Sequence, residues 1–248
     1  VKEYNYTPYG TVKITSEAKT FILGILLKSA SSANLFLNGV ISLAQQSGYS
    51  ILLYDSADNA SMELKNITSL CKHNVDGVIW EPVSQNSLEY ERYFNEQGIE
   101  VCHINSREVP SSYLINFSQM GYEATELLIQ KGHTKLGCLT KHDSTRSEMV
   151  LGGFKKCLFD HSIPYYDTMN LPVEESDWHN GLLSHIPTGI ISSHYASALV
   201  LMKHLDKIQF HVPYDLSLIS LQESASENLT YPGISSIRIP YFEFGAFV

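Results

Sequence analysis

The chain has 248 residues, 44% of them apolar and 17% charged, and its 26 acidic against 17 basic residues give a formal net charge of −9. Such a chain buries enough surface to offset its ordering entropy, so the composition excludes disorder and predicts one or two compact units. An acidic body repels phosphates, which excludes this stretch by itself as a free-standing DNA binder.

Residues 1–20 differ in kind, carrying +1 against −10 for the remainder. From residue 21 a rhythm sets in. A short apolar run at 21–27 reads as a buried strand, far below the roughly 20 residues that a bilayer crossing needs and without a cleavage site behind it, so no membrane partner is expected. Leu35, Leu37, Val40, Ile41 and Ala44 then recur at helical spacing, and Gly48 supplies a left-handed cap. The cycle repeats with a strand at 50–54, a helix at 62–73, a strand at 77–80, a helix at 88–97 stopped by Gly98, and a strand at 100–104. Residues 105–118, with Pro110 and four serines, interrupt the rhythm as a crossover. A second series follows: a helix at 121–131 capped by Gly132, a strand at 136–140, a helix at 147–159, a strand at 189–192, a helix at 196–208 and a strand at 216–221. Residues 165–186 give no clear period. Strands apolar on both faces and separated by helices pair in parallel, so the pattern predicts an α/β fold of two similar parallel-sheet lobes. The loops after the strands then face a crevice, where such sheets take ligands.

After the first strand the chain reads Lys28, Ser29, Ala30, Ser31, Ser32, without the glycines that let backbone amides approach a pyrophosphate. No GxSxG and no HExxH occurs. His179 and His185, six apart, fall on different helical faces, and the pairs Glu174/Glu175 and Glu223/Glu227 read as solvated surface. Cys71, Cys102, Cys138 and Cys157 form no CxxC and read as small apolar side chains in a reducing compartment. The expectation is a non-enzyme with neither cofactor nor metal.

Several stretches together then acquire a specific meaning. Residues 1–8 (Val1, Lys2, Glu3, Tyr4, Asn5, Tyr6, Thr7, Pro8) are followed by Phe21, Ile22, Leu23, Gly24, Ile25, by Asn34 with Phe36, and by Asp76, Gly77, Val78, Ile79. Gly132 with His133, Gly153 with Phe154, the run 212–217 and the stretch 232–237 continue the series. In order and spacing the whole chain resembles the LacI/GalR family of bacterial transcription regulators. There the first stretch is the end of a helix-turn-helix head, "DGiI" a strand, "GH" a turn, "GF" a helix end, and "vPeDisv" and "P.lTTv" later runs.

The resemblance implies a type I periplasmic-binding-protein-like fold: a hinge or linker remnant at 1–19, an N-terminal lobe of 20–116 plus 237–248, and a C-terminal lobe of 117–236. It further implies a cytoplasmic homodimer, a repressor in class, that binds operator DNA through a head ahead of Val1 and is controlled by a small-molecule effector in the inter-lobe cleft. The chain would stop at Val248 inside a helix of the first lobe. A solute-binding protein of a sugar transporter is the alternative with the same fold.

Across the matched positions and the loops after the strands, the expected effector contacts are Asn34, Phe36, Glu81, Arg146 from the loop ahead of its helix, Val150, His194, Tyr195 and Gln222. Four of these depart from the family pattern. Val150 stands where sugar binders carry an arginine, His194 and Tyr195 where they carry asparagine and aspartate, and Gln222 where they carry aspartate. Guanidinium and carboxylate groups fix sugar hydroxyls through charge-assisted bonds, so ordinary sugar recognition is not expected. A flatter or more apolar ligand and a cleft without ligand control are the two readings. Tyr9, Val12 and Thr15 likewise replace the asparagine, alanine and leucine of the family's DNA-contacting hinge.

Overall fold

The computed structural model describes residues 19–30, 33–142, 144–173, 187–222 and 233–248. The expectations for residues 1–18, for His179 and His185, and for the carboxylates at 174, 175, 223 and 227 lie outside these. The described residues divide into two compact units, one drawn from Val1–Leu114 with Phe242–Val248, the other from Ile115–Tyr241.

The first unit holds β1 (Ile22–Leu27), α1 (Asn34–Gln46), β2 (Ser50–Asp55), α2 (Ala60–Lys72), β3 (Gly77–Trp80), α3 (Glu91–Asn95), β4 (Glu100–His103) and the late α7 (Tyr241–Phe247). Its sheet has the order β2-β1-β3-β4, all parallel. β1 lies inside the sheet and is covered on both faces, which is why it reads as an unbroken apolar run. Leu26 points into a cluster with Ile67, Leu70, Trp80 and Phe94, under α2 and α3. Its neighbours Ile25 and Leu27 point the other way, into Phe36, Val40, Ile79 and Ile104 under α1. Gly48 and Gly98 have positive φ, as the cap positions require.

The second unit holds α4 (Phe117–Gln130), β5 (Leu136–Thr140), α5 (Thr145–Asp160), β6 (Asn170–Pro172), β7 (Gly189–Ser192), α6 (Tyr195–Lys207), β8 (Ser217–Gln222) and β9 (Ser235–Arg238). Its sheet runs β6-β5-β7-β8-β9, again all parallel. Leu139, Ile190, Ala198, Leu201, Leu205 and Leu218 form its core under α6.

Several expected boundaries are corrected. α4 begins at Phe117, inside the expected crossover, because the Asn116 side chain accepts from the Gln119 amide and caps the helix there. The expected helix at 88–97 is a 3-10 segment, Gln85–Tyr90, followed by the short α3. β9 spans the expected lobe boundary at 237 and belongs whole to the second sheet. Gly153 and Phe154 fall in the middle of α5 rather than at its end.

That last position explains the glycine. α4 and α5 cross where Gly121 faces the Val150 backbone and Gly153 faces Ser118; a Cβ on Gly153 would run into the Ser118 carbonyl oxygen. The first unit repeats the device between α1 and α7, through Gly39 and Gly245. Gly152, by contrast, faces open space. Gly153→Ala is therefore expected to lower stability by about 1–3 kcal/mol through overpacking. Gly152→Ala is expected to raise it by roughly 0.5–1 kcal/mol through helix propensity. Urea melts of the two variants check the contrast.

Candidate functional site

In the second unit the loops after β5 and β7 lie side by side because those strands pair, with Leu139 opposite Ser192. Each loop leads at once into a helix, α5 or α6, and small hydroxyl side chains tie the two together. The Lys141 amide donates to Ser147 Oγ at 2.9 Å, and Ser147 Oγ lies 2.8 Å from Ser193 Oγ. Ser193 Oγ in turn donates to the Leu139 carbonyl at 3.2 Å and lies 2.9 Å from His194 Nδ1. Ser147 and Ser193 are both buried.

The proton order follows from the one group that cannot accept. Arg146 Nε donates to His194 Nε2 at 3.0 Å. A guanidinium has no lone pair to offer, so Nε2 is the acceptor and the imidazole proton sits on Nδ1, directed at Ser193 Oγ. Burial, then the Arg146 and Lys141 charges, push the His194 pKa down to about 3. The Arg146 guanidinium also lies 5.7 Å from the centre of the Phe117 ring, within cation–π range.

The other expected residues of this unit are placed differently. Tyr195 opens α6 and packs partly against the core beneath it. Gln222 ends β8, buried, with its carbonyl accepting from the Ile239 amide at 2.8 Å. Val150 stands apart from the polar cluster, fully enclosed where α5 meets Gly121.

In the first unit Glu81 follows β3. Its amide donates to the Leu26 carbonyl, and its Oε1 accepts from Asn105 Nδ2 at 2.8 Å. Burial raises the Glu81 pKa, and the Asn105 amide and Lys28 partly offset the rise. Asn34 is exposed at the first turn of α1. Phe36, two residues on, is buried with its ring 5.7 Å from Phe244, so it packs α1 on α7 and is not brought together with Glu81.

Sequence reasoning missed Ser147 and Ser193, which orient His194, and Glu63, which orients the Glu81 loop. Glu63 is fully buried on α2, and its Oε1 accepts from both Trp80 Nε1 and the Val83 amide at 2.9 Å. Its spacing to Ile67 and Leu70 on one helical face is the signal that would have found it. Among the described residues no group of three or more His, Cys, Asp or Glu is placed to hold a metal ion, and no helix is long and apolar enough to cross a membrane.

The His194 environment sets a pH dependence. The folded pKa lies below the ordinary histidine value of about 6.5, so below that pH the unfolded chain takes up a proton that the folded chain refuses. Stability should fall as pH drops from 7 to 5, and His194→Gln should make that fall shallower. Thermal melts across this range check it, and an unchanged slope in the variant would contradict the geometry.

Comparisons with known proteins agree with this architecture. The family model described as periplasmic binding proteins and sugar binding domain of LacI family matches residues 23–179, and that of the periplasmic binding protein-like domain matches residues 125–247. Catabolite control protein A of Staphylococcus epidermidis is 23% identical over 99% of this chain and 78% of its own length. The HTH-type transcriptional repressor PurR of Vibrio vulnificus is 24% identical over 97% of this chain and 76% of its own. Among solved structures, the Escherichia coli transcriptional repressor ascG superposes with a TM-score of 0.77 at 22% identity, covering 91% of this chain and 88% of that one. Two all-parallel sheets, each closed by a glycine-lined helix crossing, and a family match across more than half the residues place this chain in the family of LacI-type periplasmic-binding-protein-like domains.

Proposed function

We propose that this chain is the effector-binding and dimerisation core of a cytoplasmic DNA-binding transcription regulator, a repressor whose hold on its operator is set by a small molecule. The observation that carries the reading is the extent of the likeness to proteins named as regulators, 99% and 97% of the chain, taking in both units in one match. A solute-binding protein has no comparable support among these relatives. The protein acts by binding alone, without catalysis, cofactor or metal.

Small-molecule control is supported by what stands after the strands: Arg146, His194, Tyr195 and Gln222 in one unit, Asn34 and Glu81 in the other. Carboxyl-end loops of parallel sheets are where such folds take ligands. An arginine held by a neutral histidine, with a tyrosine and a glutamine at the same ends of the strands, suits a small polar molecule with both donors and acceptors. Among the described residues the second unit's set lacks the carboxylates that grip a row of sugar hydroxyls bidentately. Phe36 and Val150 take part only through the packing beneath these loops.

Calorimetry of the protein against a panel of sugars, sugar phosphates and nucleobases tests the reading. A bound compound should lose affinity by about tenfold or more in His194→Ala and in Tyr195→Ala, the loss of a buried polar contact. Unchanged affinity in both variants would remove them from the site. Sedimentation at micromolar concentration should give a dimer, and a monomer alone would count against the regulator.

A further inference from the structure

The chain enters β1 through a turn that its own residues do not favour. Phe21 has φ +55°, the left-handed region, where the Cβ of an L residue crowds the following carbonyl. Its ring is half exposed, with one aromatic neighbour, Tyr49, at 5.4 Å. Packing alone gives little reason for this conformation.

A carboxylate at the start of β3 supplies the reason. Asp76 Oδ1 accepts from the Thr20 amide at 2.7 Å, and Oδ2 from the Phe21 amide at 2.9 Å. The Thr20 hydroxyl lies 2.8 Å from both Asp76 Oδ1 and the Asn74 carbonyl, with one proton to share between them. The Asp76 amide donates back to the Ile22 carbonyl at 2.8 Å. Two consecutive amides converging on one anion form a concave, charge-assisted arrangement that requires a left-handed residue nearby. Residues 20–22 are thus tied to residues 74–76 across more than fifty positions of sequence.

The placement within the unit gives the tie a meaning. β3 is a buried strand of four residues, so its two ends are about 10 Å apart. Asp76 precedes it at the amino end. At the carboxyl end Trp80 and Val83 are held by Glu63, and Glu81 stands between them. One rigid strand therefore carries the tie to residues 20–22 at one end and a proposed effector contact at the other.

We infer that Asp76 is a positioning residue for regulation: it fastens residues 20–22, at the start of β1, to the strand that bears Glu81, and so couples the effector side of the unit to DNA binding. This rests on the regulator reading above. The role differs from plain turn stability, because it predicts a loss of DNA affinity at nearly constant melting temperature.

The test uses the full natural gene product and, as probe, a genomic duplex that the wild-type protein itself selects from sheared genomic DNA. Asp76→Asn keeps the shape and removes the anion. It is expected to raise amide exchange at Thr20 and Phe21 by about tenfold and to weaken the duplex by about fivefold or more, a shift of ordinary coupling size. Adding Phe21→Gly, which adopts the left-handed conformation without steric cost, should restore much of both. Thr20→Val, which leaves Asp76 in place and removes one of its donors, should give a smaller change in the same direction. Unchanged exchange in Asp76→Asn, or raised exchange with unchanged DNA affinity, overturns the assignment. A wild-type protein that selects no duplex overturns the regulator reading first, and the coupling role with it.

Discussion

Every strand in each sheet runs the same way, and that single constraint decides where chemistry can gather. In an antiparallel sheet, successive loops alternate between edges. In a parallel one, every loop after a strand emerges at the same edge, and every helix must travel back across a face before the next strand begins. The polar side chains at 144–147 and 192–194 meet because β5 and β7 are neighbours in the sheet, although they are almost fifty residues apart in the chain. Glu81 and Asn105 meet for the same reason, through β3 and β4.

Within that frame the electrostatics are set by small residues. Ser147 and Ser193 carry no charge, yet they hold the His194 ring, and Ser193 Oγ accepts the hydrogen bond from the Nδ1 proton that the Arg146 contact at Nε2 dictates. Burial, and then the neighbouring Arg146 charge, fix the neutral form, since protonation would place an enclosed second cation beside the guanidinium. The result is an imidazole that keeps its charge state through the physiological range, suited to hydrogen bonding rather than to proton transfer. In the first unit the logic is reversed. Glu63 is buried entirely and spends one oxygen on an indole and an amide, so it shapes a loop instead of meeting solvent.

Much of this was legible in the sequence. Apolar runs at β1, β3, β5 and β7 are continuous because those strands are covered on both faces, and Gly48, Gly98 and Gly132 marked helix ends by the conformation that only glycine adopts freely. β6 and β9 were not legible as strands. β9 reads Ser235, Ser236, Ile237, Arg238 on a mostly exposed edge, with too little apolar content to show a period, and β6 is three residues ending in proline. The start of α4 was hidden because Asn116 looks the same in a loop and in a cap until the helix behind it is seen. Site residues were legible by position in a family pattern, but not their partners: a serine under a histidine leaves no periodic trace, and the tie between Asp76 and Phe21 joins residues that nothing in a linear reading brings together.

The proposed function links a small molecule and an operator through the same folded core. Its most direct measurement is the anisotropy of a labelled genomic duplex titrated with the full natural gene product, with and without a compound found to bind it. The account predicts that the compound shifts the DNA dissociation constant by about fivefold or more, and that the duplex shifts the compound's affinity by the same factor, as linkage demands. DNA affinity that stays constant while the compound saturates the protein would contradict it.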